Sequence, residues 1–233
     1  MIEETDFETY LYLSSSEFKI FLFDKKNVKN LFQESVILEN NFDFIEFTEL
    51  TQFLDKTIYK IEKLIGTFVK NIFLIIDNKN NLVINLGNKR KTENKIYKES
   101  LKNTLIKLKN LINENYKDQT IIHILLNNQF VNQSNNTSLE VNTDTNYQHL
   151  EVSFITLSNH LIDNLSKILQ EYQIKICNFS DGNYVKNFFK DDKVELSLAT
   201  HKLIKGFNDN EVIIVPKSKE NQGIFEKFFN LFS

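Results

Sequence analysis

Apolar residues change their spacing several times along this chain of 233 residues, and this feature most limits the folds it can adopt. Short apolar runs that favour strands, such as residues 69–76, alternate with longer stretches in which apolar residues recur every three or four positions. The clearest helical stretch is 51–65, and Gly66 follows it, where a glycine commonly ends a helix. Strands that alternate with helices predict an α/β or α+β fold.

Two hairpins are predicted from the turn signals. The first joins strands at 9–13 and 18–23 through the serine triplet Ser14, Ser15 and Ser16. The second joins the run 69–76 to the alternating residues 82–86. The remaining predicted strands are 35–38, 120–126, 150–157, 174–179 and 211–215, and the remaining predicted helices are 97–112, 158–172, 182–189 and 194–203.

Glycine is scarce, with 5 residues in the whole chain. Loops that hold phosphate groups need glycine where the backbone must approach the ligand closely, so the composition leaves little room for a nucleotide site. The net charge of −3 gives no general reason to bind nucleic acid. We therefore expect no nucleic-acid partner.

The residues that commonly bind metals are scattered. No metal-ligand spacing connects the four histidines His123, His149, His160 and His201. The single cysteine, Cys177, lies in a predicted strand and is interpreted as a small buried residue. His123 lies inside an apolar run and is interpreted as a core histidine with a hydrogen-bond partner. We expect no metal site.

The cellular compartment is predicted from three absences. One cysteine cannot form an internal disulfide, and no signal-peptide pattern opens the sequence. The longest apolar runs are far shorter than the roughly 20 residues that span a bilayer. These features predict an intracellular protein.

The last eleven residues, 223–233, have the pattern of a short amphipathic helix after a polar linker. Glu226, Lys227 and Asn230 lie opposite the apolar cluster. The residues expected at a membrane surface are Ile224, Phe225, Lys227, Phe228, Phe229, Leu231 and Phe232. The alternative is that the phenylalanines pack back onto the body of the protein.

Loose hydrophobic patterns recur in a recognisable order across about residues 8–180. The segments that carry this order are 57–66 with 69–76, 122–125 with 129–131, and 150–156 with 160–176. Together they resemble the FtsA-like family of actin-like bacterial cell-division proteins. Residues 197–206 are similar to the last core helix of that family, and residues 223–233 to its membrane-targeting helix.

The resemblance implies the first lobe of an actin-like, ribonuclease H-like fold with an inserted small α+β subdomain and a C-terminal amphipathic helix. It implies that residues 1–68 and 154–215 form the discontinuous first-lobe subdomain and that 69–153 form the inserted FtsA-type subdomain. Residues 216–233 would be a linker and the membrane-targeting helix. The second lobe of the family, which carries the adenine site, has no counterpart in this sequence.

The phosphate loop of the family departs from its pattern here. The family motif is Asp-x-Gly followed by Thr or Ser, whereas this chain has Leu13, Ser14, Ser15 and Ser16. Leu13 replaces the aspartate that helps to hold a metal ion, and Ser15 replaces the glycine. The resemblance therefore implies a degenerate phosphate loop, no cofactor and no enzymatic activity.

The function implied by the resemblance is a non-catalytic cell-division scaffold on the cytoplasmic face of the inner membrane, at the division site. The inserted subdomain would bind a second copy, another FtsA-like chain or divisome proteins. The family binds FtsZ through the lobe that has no counterpart here. Two alternatives stay open: an ATP-binding actin-like ATPase or switch that uses Ser14–Ser16, and a cytoplasmic adaptor of pilus or secretion machinery from the same superfamily.

Overall fold

The N-terminal strands form one half of a five-stranded sheet. The computed structural model describes residues 6–39, 45–92, 97–132 and 146–213. β1 (Phe7–Ser14) pairs antiparallel with β2 (Glu17–Asp24), which pairs antiparallel with β3 (Lys29–Ile37). Ser15 and Ser16 form the turn between β1 and β2, so the predicted first hairpin is confirmed.

Two parallel strands complete this sheet. β4 (Asn71–Asp77) lies parallel to β1, and β8 (Lys175–Asp181) lies parallel to β4. The resulting strand order is β3-β2-β1-β4-β8. Three antiparallel strands followed by two parallel strands, with helices in the connections, form the core expected for an actin-like, ribonuclease H-like lobe. The predicted mixed α/β fold class is confirmed.

A second sheet has three antiparallel strands, β5 (Leu82–Thr92), β6 (Gln119–Asn132) and β7 (Asn146–Ser158), in the order β5-β7-β6. α2 (Tyr97–Asn115) packs on one face of this sheet, where Leu105, Leu108 and Ile112 contact the buried side chains of β7. The sheet is therefore a small α+β unit with a core of its own, inserted in the chain between β4 and β8.

The predicted hairpin between residues 69–76 and 82–86 is wrong. β4 pairs with β1 on one side and β8 on the other, while β5 pairs with β7 in the second sheet. Both edges of β4 are already hydrogen-bonded, so the next strand cannot pair with it. The first part of the predicted inserted segment, residues 69–153, thus supplies a strand to the larger sheet.

Helices cover both faces of the five-stranded sheet. α1 (Phe47–Ile65) and α3 (Asn159–Glu171) pack on one face, against a core that includes Leu11, Leu13 and Leu74. α1 ends as predicted, because Gly66 adopts a left-handed φ of 72° and its N–H donates to the Glu62 carbonyl oxygen.

The opposite face carries two short helices, α4 (Gly182–Phe188) and α5 (Leu196–Ile204). Aromatic side chains of β1 and β2 pack beneath α5. A further buried cluster joins Ile155 of the second sheet to Val185 and Leu203 of these helices. α4 and α5 therefore contact both sheets.

Cys177 is exposed, so the interpretation as a buried residue is wrong. β8 is an edge strand, and its pairing with β4 shifts register between Ile72 and Phe73, which leaves Cys177 without a partner residue. A bulge on an edge strand turns the extra side chain away from the regular pleat. Neighbouring protein atoms still remove part of the water around the thiol, and this desolvation raises its pKa.

Several predictions fall partly or wholly outside the described residues. These include the C-terminal amphipathic helix of residues 223–233 and the linker that precedes it. The predicted strand at 211–215 is represented, up to residue 213, by an isolated bridge between Glu211 and Leu125. In the described part of the chain, no helix is long and apolar enough to cross a membrane.

Candidate functional site

The carboxyl ends of the three parallel strands meet at one edge of the five-stranded sheet. Ser14 at the end of β1 is paired with Asp77 at the end of β4, and Ile76 is paired with Asp181 at the end of β8. In open α/β sheets, ligands bind at this edge. The edge is therefore the candidate site, and the serine turn predicted from the sequence forms one side of it.

The serine turn is closed by its own hydrogen bonds. The buried Ser14 hydroxyl accepts hydrogen bonds from the Glu17 N–H at 2.9 Å and the Ser16 N–H at 3.3 Å. The same hydroxyl donates to the Glu17 carbonyl oxygen at 2.9 Å. Leu13, just before the turn, is fully buried in the core beneath α1. The turn therefore engages the Ser14 hydroxyl and the N–H groups of Ser16 and Glu17 internally.

Asp77 is engaged by a lysine and a tyrosine. Its Oδ2 accepts hydrogen bonds from Lys186 Nζ at 2.6 Å and from the Tyr12 hydroxyl at 2.8 Å. Lys186 Nζ also donates to the Tyr12 hydroxyl oxygen at 2.7 Å and lies 4.6 Å from the centre of the Tyr12 ring. We call Tyr12, Asp77 and Lys186 the edge triad. The ammonium group of Lys186, on α4, thus lies directly against the carboxylate at the end of β4.

Close backbone packing brings Lys186 to this position. A Cβ atom built on Gly182 would lie 2.7 Å from Asp77 Cβ, so only glycine lets α4 begin this close to the end of β4. Lys186 comes four residues later, on the same side of the helix as Gly182. The contact between Gly182 and Asp77 therefore positions the lysine of the edge triad.

The edge triad shifts the pKa values of two of its members. Burial lowers the pKa of Lys186, but hydrogen bonds and attraction from Asp77 and Tyr12 outweigh it, so the pKa lies above its ordinary value. Burial and the Asp77 charge raise the pKa of Tyr12, although Lys186 acts in the opposite direction. The cluster is therefore an ammonium–carboxylate pair with a neutral tyrosine between them.

Each carboxylate oxygen of Asp181 accepts a hydrogen bond from another part of the protein. Its Oδ1 caps α4 by accepting a hydrogen bond from the Tyr184 N–H at 2.7 Å. Its Oδ2 accepts a hydrogen bond from Asn81 Nδ2 at 2.6 Å. Both oxygens of this buried carboxylate therefore serve local structure.

His123 joins the two sheets next to this edge. Its Nε2 accepts a hydrogen bond from the Asp181 N–H at 2.9 Å, so Nδ1 carries the proton and donates to Glu211 Oε1 at 2.6 Å. The Tyr184 hydroxyl donates to the other oxygen of Glu211 at 2.9 Å. The prediction of a buried, hydrogen-bonded core histidine is confirmed.

The other histidines lie apart from the edge. His149 is 3.0 Å from Glu151 on the second sheet, His201 of α5 is 2.7 Å from Glu8, and His160 is exposed on α3. Across the described ranges, no group of three or more histidine, cysteine, aspartate or glutamate side chains could hold a metal ion.

Sequence reasoning identified one side of the site and missed the rest. It selected Ser14, Ser15 and Ser16 but not the edge triad. Asp77 carried a usable signal, because it is the first charged residue after a buried strand run. Lys186 carried no such signal in the sequence, because it lies 109 residues from its partner Asp77. The predicted membrane-contact residues Ile224–Phe232 lie outside the described residues.

The sequence matches no family model and no curated protein sequence. Among solved structures, the chain is similar to a PilM–PilN type IV pilus biogenesis complex, with a TM-score of 0.47 and 9% identity over 78% of this chain and 49% of that chain. It is similar to a Bacteroides thetaiotaomicron protein of actin-like ATPase fold, with a TM-score of 0.34 and 13% identity over 83% of this chain and 61% of that one.

A further similar structure is the cytoplasmic domain of EpsL, an inner-membrane component of the type II secretion system of Vibrio cholerae. Its TM-score is 0.36, and the identity is 6% over 75% of this chain and 55% of that chain. This chain therefore spans 49% to 61% of the length of the solved structures it matches. Similarities of this size assign no activity and no partner to the chain.

The edge triad predicts a stability difference that depends on pH. Folding raises the pKa values of Lys186 and Tyr12, so their contribution is complete below the ordinary values of 10.5 and 10.0 and is lost as pH rises through the folded values. Because the Lys186 side chain is 47% exposed, we expect Lys186→Met to lower the free energy of unfolding by about 0.2–1 kcal/mol at pH 8. Urea unfolding at pH 8 and pH 11 measures the difference, which should shrink at the higher pH.

Lys190→Met is the matched control, because Lys190 is an exposed lysine just after the same helix. It should change the unfolding free energy little at either pH. An effect of Lys186→Met no larger than that of Lys190→Met at pH 8 would contradict the assignment of the edge triad.

Proposed function

We propose that this chain is a non-catalytic scaffold of actin-like fold that acts in a membrane-associated bacterial assembly, with cell division as the leading setting. The observation that carries the non-catalytic part is the edge triad, in which Lys186 Nζ lies 2.6 Å from Asp77 Oδ2 at the ligand-binding edge of the sheet. A side chain of the protein itself thus occupies the place where this sheet architecture admits a ligand.

The chemistry of the edge supports this proposal over a nucleotide switch. A bound nucleotide needs free backbone N–H groups for its phosphates and free carboxylate oxygens for its metal ion. The N–H groups of Ser16 and Glu17 donate to Ser14, and both oxygens of Asp181 accept hydrogen bonds. Binding a nucleotide would require several of these contacts to break at once.

The inserted unit of β5, β6, β7 and α2 supplies a surface for a protein partner. On the face of the sheet opposite α2, Ser153 donates a hydrogen bond to Asn85 Oδ1 and accepts one from Asn127 Nδ2 at 2.6 Å. This row crosses all three strands and fixes the orientation of both amides. Val83, which is 52% exposed, lies on the same face. A polar, pre-ordered surface with a small apolar part suits a reversible protein contact.

Membrane attachment in this proposal depends on residues 223–233, whose amphipathic sequence pattern resembles a membrane-targeting helix. The protein would then work on the cytoplasmic face of the inner membrane, at the division site. Its partners would be a second copy, another FtsA-like chain or a divisome protein. The second candidate is an adaptor of a pilus or secretion machine, which shares the actin-like core.

The non-catalytic role predicts that the purified chain does not bind Mg²⁺–ATP more tightly than the millimolar range. The reason is that Lys186 pairs with Asp77, both oxygens of Asp181 accept hydrogen bonds, and the N–H groups of Ser16 and Glu17 donate to Ser14. Isothermal titration of the full chain with Mg²⁺–ATP and with Mg²⁺–GTP measures this affinity, and phosphate release measures turnover. Binding tighter than millimolar, weakened by Asp77→Asn, would establish a nucleotide switch instead.

Membrane attachment predicts that the full chain sediments with vesicles containing anionic lipid. Burying each large apolar side chain contributes roughly 1.5–3 kcal/mol, so the triple substitution of Phe225, Phe228 and Phe232 by serine should abolish co-sedimentation. Asn230→Ser is the matched control, because Asn230 lies on the polar side of the sequence pattern, and it should leave co-sedimentation unchanged. Equal sedimentation of the triple variant and the control would exclude this anchor.

The division setting predicts mid-cell localisation of a fluorescent fusion and co-purification with division proteins. Cross-linking in intact cells before purification preserves weak contacts and identifies the partner. Recovery of a pilus or secretion membrane protein, without mid-cell localisation, would replace division with the second candidate. The predictions for vesicle sedimentation and for nucleotide affinity are the same for the division setting and for the pilus or secretion setting.

A further inference from the structure

We propose that the outer edge of β3 pairs with β3 of a second copy of this chain, so that two five-stranded sheets join across a two-fold axis. β3 is the last strand on its side of the sheet. Within the described part of the chain, no other strand pairs with this edge. An unpaired edge presents backbone donors and acceptors that can bind another strand.

The backbone groups that face outward follow from the pairing with β2. The Leu38 N–H donates to the Ser16 carbonyl oxygen at 2.9 Å, so residue 38 faces β2. Hydrogen-bonding direction alternates along an antiparallel strand, so residues 32, 34 and 36 also face β2. The N–H and C=O groups of Gln33, Ser35 and Ile37 therefore face outward.

The side chains of this edge offer weak protection against pairing. Proline and lysine commonly shield edge strands; β3 has no proline, and its one lysine, Lys29, is the first residue of the strand and precedes the regular part of the edge. Ile37 is 77% exposed and Leu31 is 42% exposed. A register shift between Leu22 and Phe23 leaves Leu31 without a partner on β2, so the regular part of the edge begins at Phe32.

Side-chain pairing selects a second copy as the occupant of this edge. With the two-fold axis at Glu34, Gln33 of each copy lies opposite Ser35 of the other, and these outward-facing residues exchange backbone hydrogen bonds. Phe32 of each copy then lies opposite Val36 of the other, within the regular part of the edge. This apolar pair, which occurs on both sides of the axis, is favourable across antiparallel strands, and the sequence is therefore complementary to itself.

The charges at the axis are already compensated. The two Glu34 side chains meet there, and like charges directly opposite one another are unfavourable. Each Glu34 carboxylate accepts hydrogen bonds from Lys60 Nζ of its own chain at 2.7 Å and 2.6 Å. Two lysines thus neutralise the two glutamates. An axis at Ser35 would instead place Glu34 opposite Val36, a less favourable pair.

The first test compares Ser35→Pro with Ser35→Ala in the full chain. Proline removes the outward N–H of residue 35, while the backbone bonds to β2 come from its neighbours and are retained. Light scattering after gel filtration, across a range of concentrations, should show a concentration-dependent dimer for the native chain and Ser35→Ala and a monomer for Ser35→Pro. Circular dichroism checks that all three are folded.

A cysteine cross-link tests the register without proline, in case Ser35→Pro does not fold. In a Cys177→Ser background, Glu34→Cys should form an intermolecular disulfide on mild oxidation, because opposite residues of a non-hydrogen-bonded pair have Cα atoms about 4.5 Å apart. Ser35→Cys should react much less, since its partner cysteine lies diagonally at about 7–8 Å.

A monomeric native chain at all concentrations would overturn the proposal, as would equal dimerisation of Ser35→Pro and Ser35→Ala. Stronger cross-linking of Ser35→Cys than of Glu34→Cys would overturn the register with its axis at Glu34. These results do not depend on nucleotide, membrane or division partners, so they stand apart from the scaffold proposal.

Discussion

The close approach of Gly182 to Asp77 controls the arrangement of the candidate site. The two backbones pack so tightly that a Cβ at position 182 would lie 2.7 Å from the Asp77 Cβ. This contact allows Asp181 to cap α4 while Lys186, one turn later, reaches Asp77. One glycine among five in the chain therefore decides that the edge of the sheet is filled by the protein itself.

His123, on the second sheet, forms a hydrogen bond to the residue that caps α4 and so links the second sheet to the candidate site. Its ring accepts a hydrogen bond from the same residue, Asp181, that caps α4, and it donates to Glu211. The ring and its partners are largely buried, and an unmatched polar group there would cost about 1–3 kcal/mol. The inserted sheet is thus fixed against the candidate edge by directional bonds as well as by apolar packing. Such a fixed unit can present a partner surface in a constant orientation.

The two proposals rest on different parts of the five-stranded sheet, the carboxyl ends of its parallel strands and the outer edge of β3, and on different physical arguments. The proposed scaffold role rests on the carboxyl ends of β1, β4 and β8, where Lys186 pairs with Asp77 and a ligand would have to compete with internal contacts. The β3 dimer follows from an edge whose backbone groups face outward and whose side chains match under two-fold symmetry. Satisfied groups favour a structural role, whereas unsatisfied groups favour association.

The sequence alone determined the local structure. The turn at Ser14–Ser16, the left-handed end of α1 at Gly66 and most of the predicted helices and strands depend on neighbouring residues, and the structure confirms them; the strand predicted at 211–215 is reduced to a bridge at Glu211. The fold class follows from their order. Sequence periodicity failed for the pairing of β4 and for the exposure of Cys177, because strand partners and edge positions depend on residues distant in the chain.

Only the tertiary structure decided how the candidate site is built. The serine turn could be predicted from the sequence, but Lys186 and Asp77 are 109 residues apart, and no spacing rule connects them. Their contact exists because parallel pairing brings the ends of β4 and β8 together and glycine allows α4 to begin there. The sequence thus determined the turn on one side of the edge, and the packing determined which side chains meet beside it.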